Sequence, residues 1–277
     1  MRGVSGIPVR KAGEDAKLTG ERPIEGKTPD SLLALHEAGY REVVARIGPG
    51  RLLDLGCGLG DGSARFLDPA RSVVGLDYEP TAARDASREH AGLLTVCSDG
   101  ARLALQTASF DWVCSSHLIE HFTDPEPHVA EIARVLAETG TACIITPNKP
   151  ADFENPYHLY LFEADDLRAM LLRHFDDVEV QGLDGDAAVK ADFERRRIFA
   201  RRLLAVDVFN LRHRLPNSWY VALHAGARRA AYPLLAAVHK KRLSVSEPAV
   251  TAENFSITAD INTSTLVLFA VARRPRR

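Results

Sequence analysis

The 277-residue sequence has no uncharged apolar run near the roughly 20 residues that a membrane-spanning helix needs; its longest candidate, Thr265 to Ala272, is the size of one strand. It also lacks an excess of either charge. Lys and Arg number 35 against 37 Asp and Glu, so nothing in the whole-chain electrostatics favours nucleic acid or an anionic membrane. The first thirty residues, Met1 to Asp30, are polar and carry no apolar core of the kind a secretory leader requires, which predicts a cytoplasmic protein. Cysteine is scarce as well. Cys57, Cys97, Cys114 and Cys143 each lie in or beside an apolar run and show no metal-type spacing, so they are expected to be small buried hydrophobes in a reducing compartment.

What is present is an alternation of short β-rich runs and helical patterns. Arg51 to Leu55, Ser72 to Asp77, Leu93 to Cys97, Phe110 to Cys114 and Thr139 to Thr146 read as strands apolar on both faces. Ser63 to Leu67, Pro80 to His90 and Pro127 to Glu138 read as helices between them, with a further helix over Ala164 to Phe175 and a sixth strand over Asp177 to Val180. A helix from Ser31 to Arg46, with Ser31 as its cap, precedes the first strand. The pattern predicts an α/β fold with a mostly parallel sheet covered on both faces, and ligands at the carboxyl ends of its strands.

The first strand runs into Asp54-Leu55-Gly56-Cys57-Gly58-Leu59-Gly60-Asp61-Gly62. A dinucleotide fingerprint needs a glycine at its sixth position, but counting from Gly56 that position is Asp61, and counting from Gly58 it is Ser63. Asp54 places a carboxylate where a pyrophosphate would be repelled and an ammonium group attracted. The segment resembles motif I of the class I S-adenosylmethionine-dependent methyltransferases, an acid followed by glycines at alternate positions. The resemblance is strongest from about Gly50 to Pro150. It implies a Rossmann-like, seven-stranded sheet, S-adenosylmethionine as cofactor, and a cofactor site lined by Asp54, Gly56, Cys57, Gly58 and Gly60. Asp77, at the end of the second strand, is expected to accept both ribose hydroxyls, with Tyr78 packing near the adenine. By the same resemblance Asp99 takes the adenine amino group, Gly100 lets the base approach, and Ser115 lies at the methionine end.

At the reacting centre the family's amino-group methylases carry Asn or Asp, two prolines and an aromatic. This chain has Ser115-Ser116-His117-Leu118-Ile119-Glu120-His121 instead, with no Pro-Cys nucleophile either, which makes oxygen the expected acceptor atom and DNA an unexpected one. His117 and His121 are candidate bases and Glu120 an orienting carboxylate. His-x-x-Glu-His is similar to the Glu-x-x-Glu-His metal site of some related oxygen methylases, with His in place of the first Glu. No metal ligand is assigned on that basis; a bound divalent ion would have His158 as a further ligand.

A last strand near Thr265 to Val271 leaves residues 183–263 as an insertion, helical by the spacing of Tyr220, Leu223, Ala227, Ala231, Leu234 and Val238 and rich in arginine, as at Arg195, Arg196 and Arg197. The expected division is an amino-terminal arm and helix over 1–48, a methyltransferase domain over 49–182 and 264–277, and a substrate cap over 183–263. The acceptor is expected to be a small molecule, sugar or glycolipid, with peripheral membrane contact through the basic insertion as an option. A non-catalytic cofactor-binding protein and, less well supported for want of interleaved aromatics, an RNA methyltransferase are the alternatives.

Overall fold

The structure, a computed structural model, describes residues 28–152, 157–205 and 250–277, the side chains of 199–205 excepted. The helical spacing from Tyr220 to Val238, Asn155, Pro156 and the arm before Thr28 lie outside these residues. In chain order the described elements are α1 (Asp30–Val44), β1 (Gly50–Leu55), β2 (Arg71–Asp77), α2 (Pro80–Glu89), β3 (Leu94–Cys97), β4 (Phe110–Ser116), α3 (Glu126–Val135), β5 (Leu136–Pro147), α4 (Ala164–Leu171), β6 (Phe175–Gly185), α5 (Ala187–Ala205), β7 (Phe255–Thr258) and β8 (Val267–Pro275).

The strands form one sheet in the order β3-β2-β1-β4-β5-β8-β6-β7. β1 to β5 pair in parallel, whereas β8 runs antiparallel to both β5 and β6. Seven of these strands follow the expected arrangement. The eighth, β7, comes from the segment expected to be a helical cap, and it pairs antiparallel with the far end of β6, Gly182 opposite Thr258.

Alternation along the strands builds two cores. Leu53, Leu55, Val113, Ala142, Ile144, Leu268 and Ala270 face α3 and α4, which contribute Val129, Ile132, Leu167 and Leu171. Leu52, Cys114, Cys143, Ile145, Val267 and Phe269 face the other way, toward Ala34, Leu35 and Ala38 of α1 and Val189 and Phe193 of α5. The period of two is what a sheet covered on both faces requires. Burial raises the thiols of Cys114 and Cys143, the latter to about 12, as expected for inert core residues. Cys97 departs from expectation. It is exposed, because β3 is the outermost strand on its side of the sheet.

Three local expectations are corrected. Ser31 is not the cap of α1: Pro29 holds that position, and Ser31 lies within the first turn, where its hydroxyl donates to Asp192 Oδ2 at 2.6 Å and ties α1 to α5. The helix expected over Ser63 to Leu67 is a single 3-10 turn, Ser63–Phe66, cut short because Pro69 disfavours helical backbone at Asp68. The third helix ends at Val135, since Leu136 already pairs with Phe110 on β4.

Candidate active site

Strand order reverses between β1 and β4: from β1 the chain moves outward through β2 and β3, then returns to place β4 on the other flank. Leu55 is registered with Ser115, so the turns leaving β1 and β4 open side by side at this crevice. Gly56, Gly58 and Gly60 all have left-handed backbone, with φ of 75°, 56° and 88°. At Gly60 space matters as much as φ, since a Cβ would stand 2.8 Å from His90 Cδ2 and 2.9 Å from Leu93 Cδ2. The turn is bolted to the end of β2. Gly56 and Cys57 donate their N–H groups to the Leu76 carbonyl at 2.8 and 2.9 Å, and Gly58 N–H donates to Asp77 Oδ2 at 2.9 Å. The other oxygen of Asp77 accepts from Glu79 N–H at 2.9 Å.

Asp54, expected in the cofactor site, stands near the end of β1 beneath the glycine turn. Its side chain is wholly buried beneath the turn, where Oδ2 accepts from Ser63 Oγ at 2.5 Å and from the Tyr40 hydroxyl at 3.2 Å. Burial lifts its carboxyl to about 6, against the lowering effect of the Ser63 and Tyr40 hydroxyls. In this structure it ties Tyr40 of α1 to Ser63, just past the glycine turn. Neither Tyr40 nor Ser63 was marked by the sequence, because each reads locally as an ordinary helix residue.

Beside the glycine turn, Asp99 is exposed and its Oδ1 accepts from Ala101 N–H at 2.9 Å, an Asx turn. Gly100 is buried, and its carbonyl accepts from His128 Nδ1 at 2.8 Å, while His128 Nε2 lies 3.0 Å from Ser115 Oγ. The carbonyl requires the proton on Nδ1, so Nε2 accepts from the serine. Burial holds this imidazole down at about 4, so it stays neutral. His128 thus locks Ser115 to Gly100, a role with no local sequence signal. Tyr78 projects outward at 69% exposure, next to this turn.

Past β4 the chain brings several histidines around one carboxylate. His117 takes left-handed backbone, φ 50°, and donates its N–H to the Ile145 carbonyl at 2.8 Å. Its Nδ1 lies 3.4 Å from Oε1 of Glu120, which is completely buried and accepts from Thr146 Oγ1 at 3.0 Å on its other oxygen. Burial pushes Glu120 up, but the facing His117, with His121 and His158 nearby, prevails and holds the carboxyl down at about 2. His117 Nε2 is buried with no hydrogen-bond partner among the described residues. The His36 ring, from α1, lies 4.4 Å from that of His117, and burial and this neighbour keep it neutral, lowered to about 3. His121 Nδ1 is 2.9 Å from the Tyr157 carbonyl, and His158 Nδ1 is 2.8 Å from Asp152 Oδ1. The expected trio of His117, Glu120 and His121 is therefore assembled, with His36, His158 and Asp152 joining it.

The arginines of α5 are less available than their sequence suggested. Arg195 and Arg196 lie 3.6 and 3.9 Å from Asp192, and Arg197 is 2.8 Å from Glu194, so the described part of the basic stripe is answered by acids on its own helix. No described helix is long and apolar enough to cross a membrane.

A family model described as a methyltransferase domain matches residues 53–144, which run from β1 into β5. A Mycobacterium tuberculosis protein named as a probable S-adenosylmethionine-dependent methyltransferase is 32% identical over 60% of this chain and 64% of its own length. A Mycolicibacterium smegmatis protein with the same description is 32% identical over 56% of this chain and 63% of its own. The match thus spans just under two thirds of these relatives. Among solved structures, an S-adenosylmethionine-dependent methyltransferase of Thermotoga maritima superimposes with a TM-score of 0.54 at 13% identity, covering 87% of this chain and 90% of that one, which speaks for the fold alone. Through residues 53–144 the chain thus matches a methyltransferase-domain family, and its sheet order and glycine turn accord with its similarity to proteins named as S-adenosylmethionine-dependent methyltransferases.

Proposed function

We propose that this protein transfers the methyl group of S-adenosylmethionine to a hydroxyl of a small molecule, sugar or glycolipid in the cytoplasm, with His117 as general base. The acceptor oxygen bonds to the methyl carbon as the carbon–sulfur bond breaks, and the electron pair of that bond neutralises the sulfonium. The hydroxyl proton passes to His117 Nε2. The observation that carries this reading is the state of His117: Nε2 is buried at the carboxyl end of β4 with no hydrogen-bond partner among the described residues, while Nδ1 faces the buried Glu120 carboxylate. Such a carboxylate orients the ring and favours the imidazolium that forms. Glu120 faces Nδ1, the ring nitrogen opposite the one that would take the proton, so its part is positioning of the imidazole. His121, whose Nδ1 lies 2.9 Å from the Tyr157 carbonyl, flanks the site.

On the cofactor side, the second lone pairs of the Asp77 oxygens would receive the ribose hydroxyls, Tyr78 would cover the adenine, and Asp99 and Gly100 would bound its edge. The glycine turn would admit the methionine end, with Ser115 held in place by His128. Residues 183–263 serve as the acceptor cap in this reading, contributing β7 as well as helix. The decisive experiment is transfer of labelled methyl to a panel of hydroxylated acceptors by the wild type and His117→Ala. Loss of about 10²- to 10⁴-fold on alkyl hydroxyls, with much smaller loss on a phenol acidic enough to arrive already ionised, supports the base. Equal activity of the two proteins on alkyl hydroxyls would refute it.

A further inference from the structure

We propose that Glu120, His121 and His158 form a binding site for a divalent transition-metal ion. Their ligand atoms lie within 4.8 Å of one another. Around one ion, with bonds of about 2.0–2.2 Å, neighbouring ligands stand about 3–3.5 Å apart, so small side-chain rotations close the site. Glu120 and His121 sit on the 3-10 turn Ile119–His121, and His158 arrives from the loop after β5, its ring centroid 5.5 Å from that of His121.

The outer contacts are those of ligating histidines. His121 Nδ1 faces the Tyr157 carbonyl and His158 Nδ1 faces the Asp152 carboxylate. Each acceptor draws the proton to Nδ1 and leaves the lone pair on Nε2, the tautomer that a carboxylate–histidine–metal arrangement employs. An independent observation comes from the carboxylate. Glu120 Oε1 is buried without a hydrogen bond among the described residues, as is Asp152 Oδ2. The facing imidazole nitrogen, His117 Nδ1, stands off at 3.4 Å. A buried carboxylate oxygen in that state is costly, and a bound cation would satisfy it.

Two imidazoles and one carboxylate suit zinc, manganese, iron or cobalt, whereas magnesium and calcium favour all-oxygen shells. Binding as such requires only this geometry. Its use in polarising an acceptor hydroxyl rests on the methyl-transfer reading, because Glu120 is the residue common to the ion and to His117.

The test is calorimetric titration of the full chain, stripped with a chelator, with Zn²⁺, Co²⁺ and Mg²⁺, alongside titration with S-adenosylmethionine. The expected result is one Zn²⁺ per chain, a visible ligand-field spectrum with Co²⁺, and no competition by Mg²⁺. His158→Ala should abolish binding, and Asp152→Asn should weaken it by about 10- to 100-fold while leaving cofactor binding intact. If His158→Ala fails to fold, Asp152→Asn carries the test. Zn²⁺ binding that is substoichiometric or unchanged in both variants, or Mg²⁺ binding as tight as Zn²⁺, would overturn the site. Intact cofactor binding in that event would leave the methyltransferase reading standing.

Discussion

The two sides of the crevice handle buried polar groups in opposite ways. On the β1–β2 side and in the Ser115–His128 contact beside it, Asp54, Asp77, Ser115 and His128 are all matched by hydroxyls, backbone N–H groups or one another. The exception there among the described residues is His90 Nε2, 3.4 Å from Asp61. On the β4–β5 side, Ser116 Oγ, His117 Nε2, Glu120 Oε1 and Asp152 Oδ2 are buried without hydrogen bonds, four of the seven such atoms among the described residues. Native proteins rarely leave such groups unmatched, and those that remain tend to mark sites of chemistry. The first side is a finished frame whose tolerance is low. The second is a set of groups poised for a ligand, whose removal should cost function more than stability.

Altering the frame should have the largest effect on the fold. Gly60→Ala combines left-handed strain with contact against His90 and Leu93, and should cost about 3 kcal/mol of stability in denaturant melts. An unchanged melt would mean that the turn yields easily and is no frame. Asp77→Ala comes next. It removes the acceptor of both the Gly58 and Glu79 N–H groups and, in the proposed pose, the ribose partner, so affinity for S-adenosylhomocysteine by calorimetry should fall about 100-fold. Wild-type affinity in the variant would move the cofactor away from β2.

Much of the frame was legible because its physics is local. Apolar runs along β1, β2 and β4, and glycines where φ must be positive, are written residue by residue. β7 was not legible: Phe255-Ser256-Ile257-Thr258 is a mixed four-residue segment that becomes a strand only by pairing with Gly182 to Gly185. The β4–β5 side was legible in part. His117, Glu120 and His121 fall within one turn, but Asp152 and His36 reach the cluster through tertiary packing, and the Tyr40 contact of Asp54 comes from a separate helix.

The frame also contains two buried groups whose titrations oppose each other. His128 is depressed to about 4, so between there and its unfolded value of 6.5 the unfolded chain binds more protons, and its contribution to stability is lost as pH falls. Asp54 is raised to about 6 from 3.8, so over that interval the folded chain binds more protons, and its contribution is lost as pH rises. Each slope is at most about 1.4 kcal/mol per pH unit, and they largely cancel between pH 4 and 6. Thermal melts across this range should therefore fall more steeply toward acid in Asp54→Asn than in wild type, and rise toward acid in His128→Gln. Parallel curves for all three proteins would show that neither group titrates as its burial requires.

The smallest effect separates the two sides at a single backbone position. His117 is one of the few non-glycine residues with positive φ, at the point where β4 leaves the sheet. For a residue with a Cβ that conformation costs about 1–2 kcal/mol, and strain of this kind persists where the surroundings hold it for a purpose. Comparison of His117→Gly with wild type would mix that relief with loss of the His36 ring contact. His117→Ala loses the same ring but keeps the Cβ, so the difference between the two variants isolates the backbone. His117→Gly should be the more stable by about 1 kcal/mol, read as a higher melting temperature, and both should lack the base. If His117→Ala is as stable as His117→Gly, the backbone there is relaxed, and the strain would no longer distinguish the β4–β5 side from the frame.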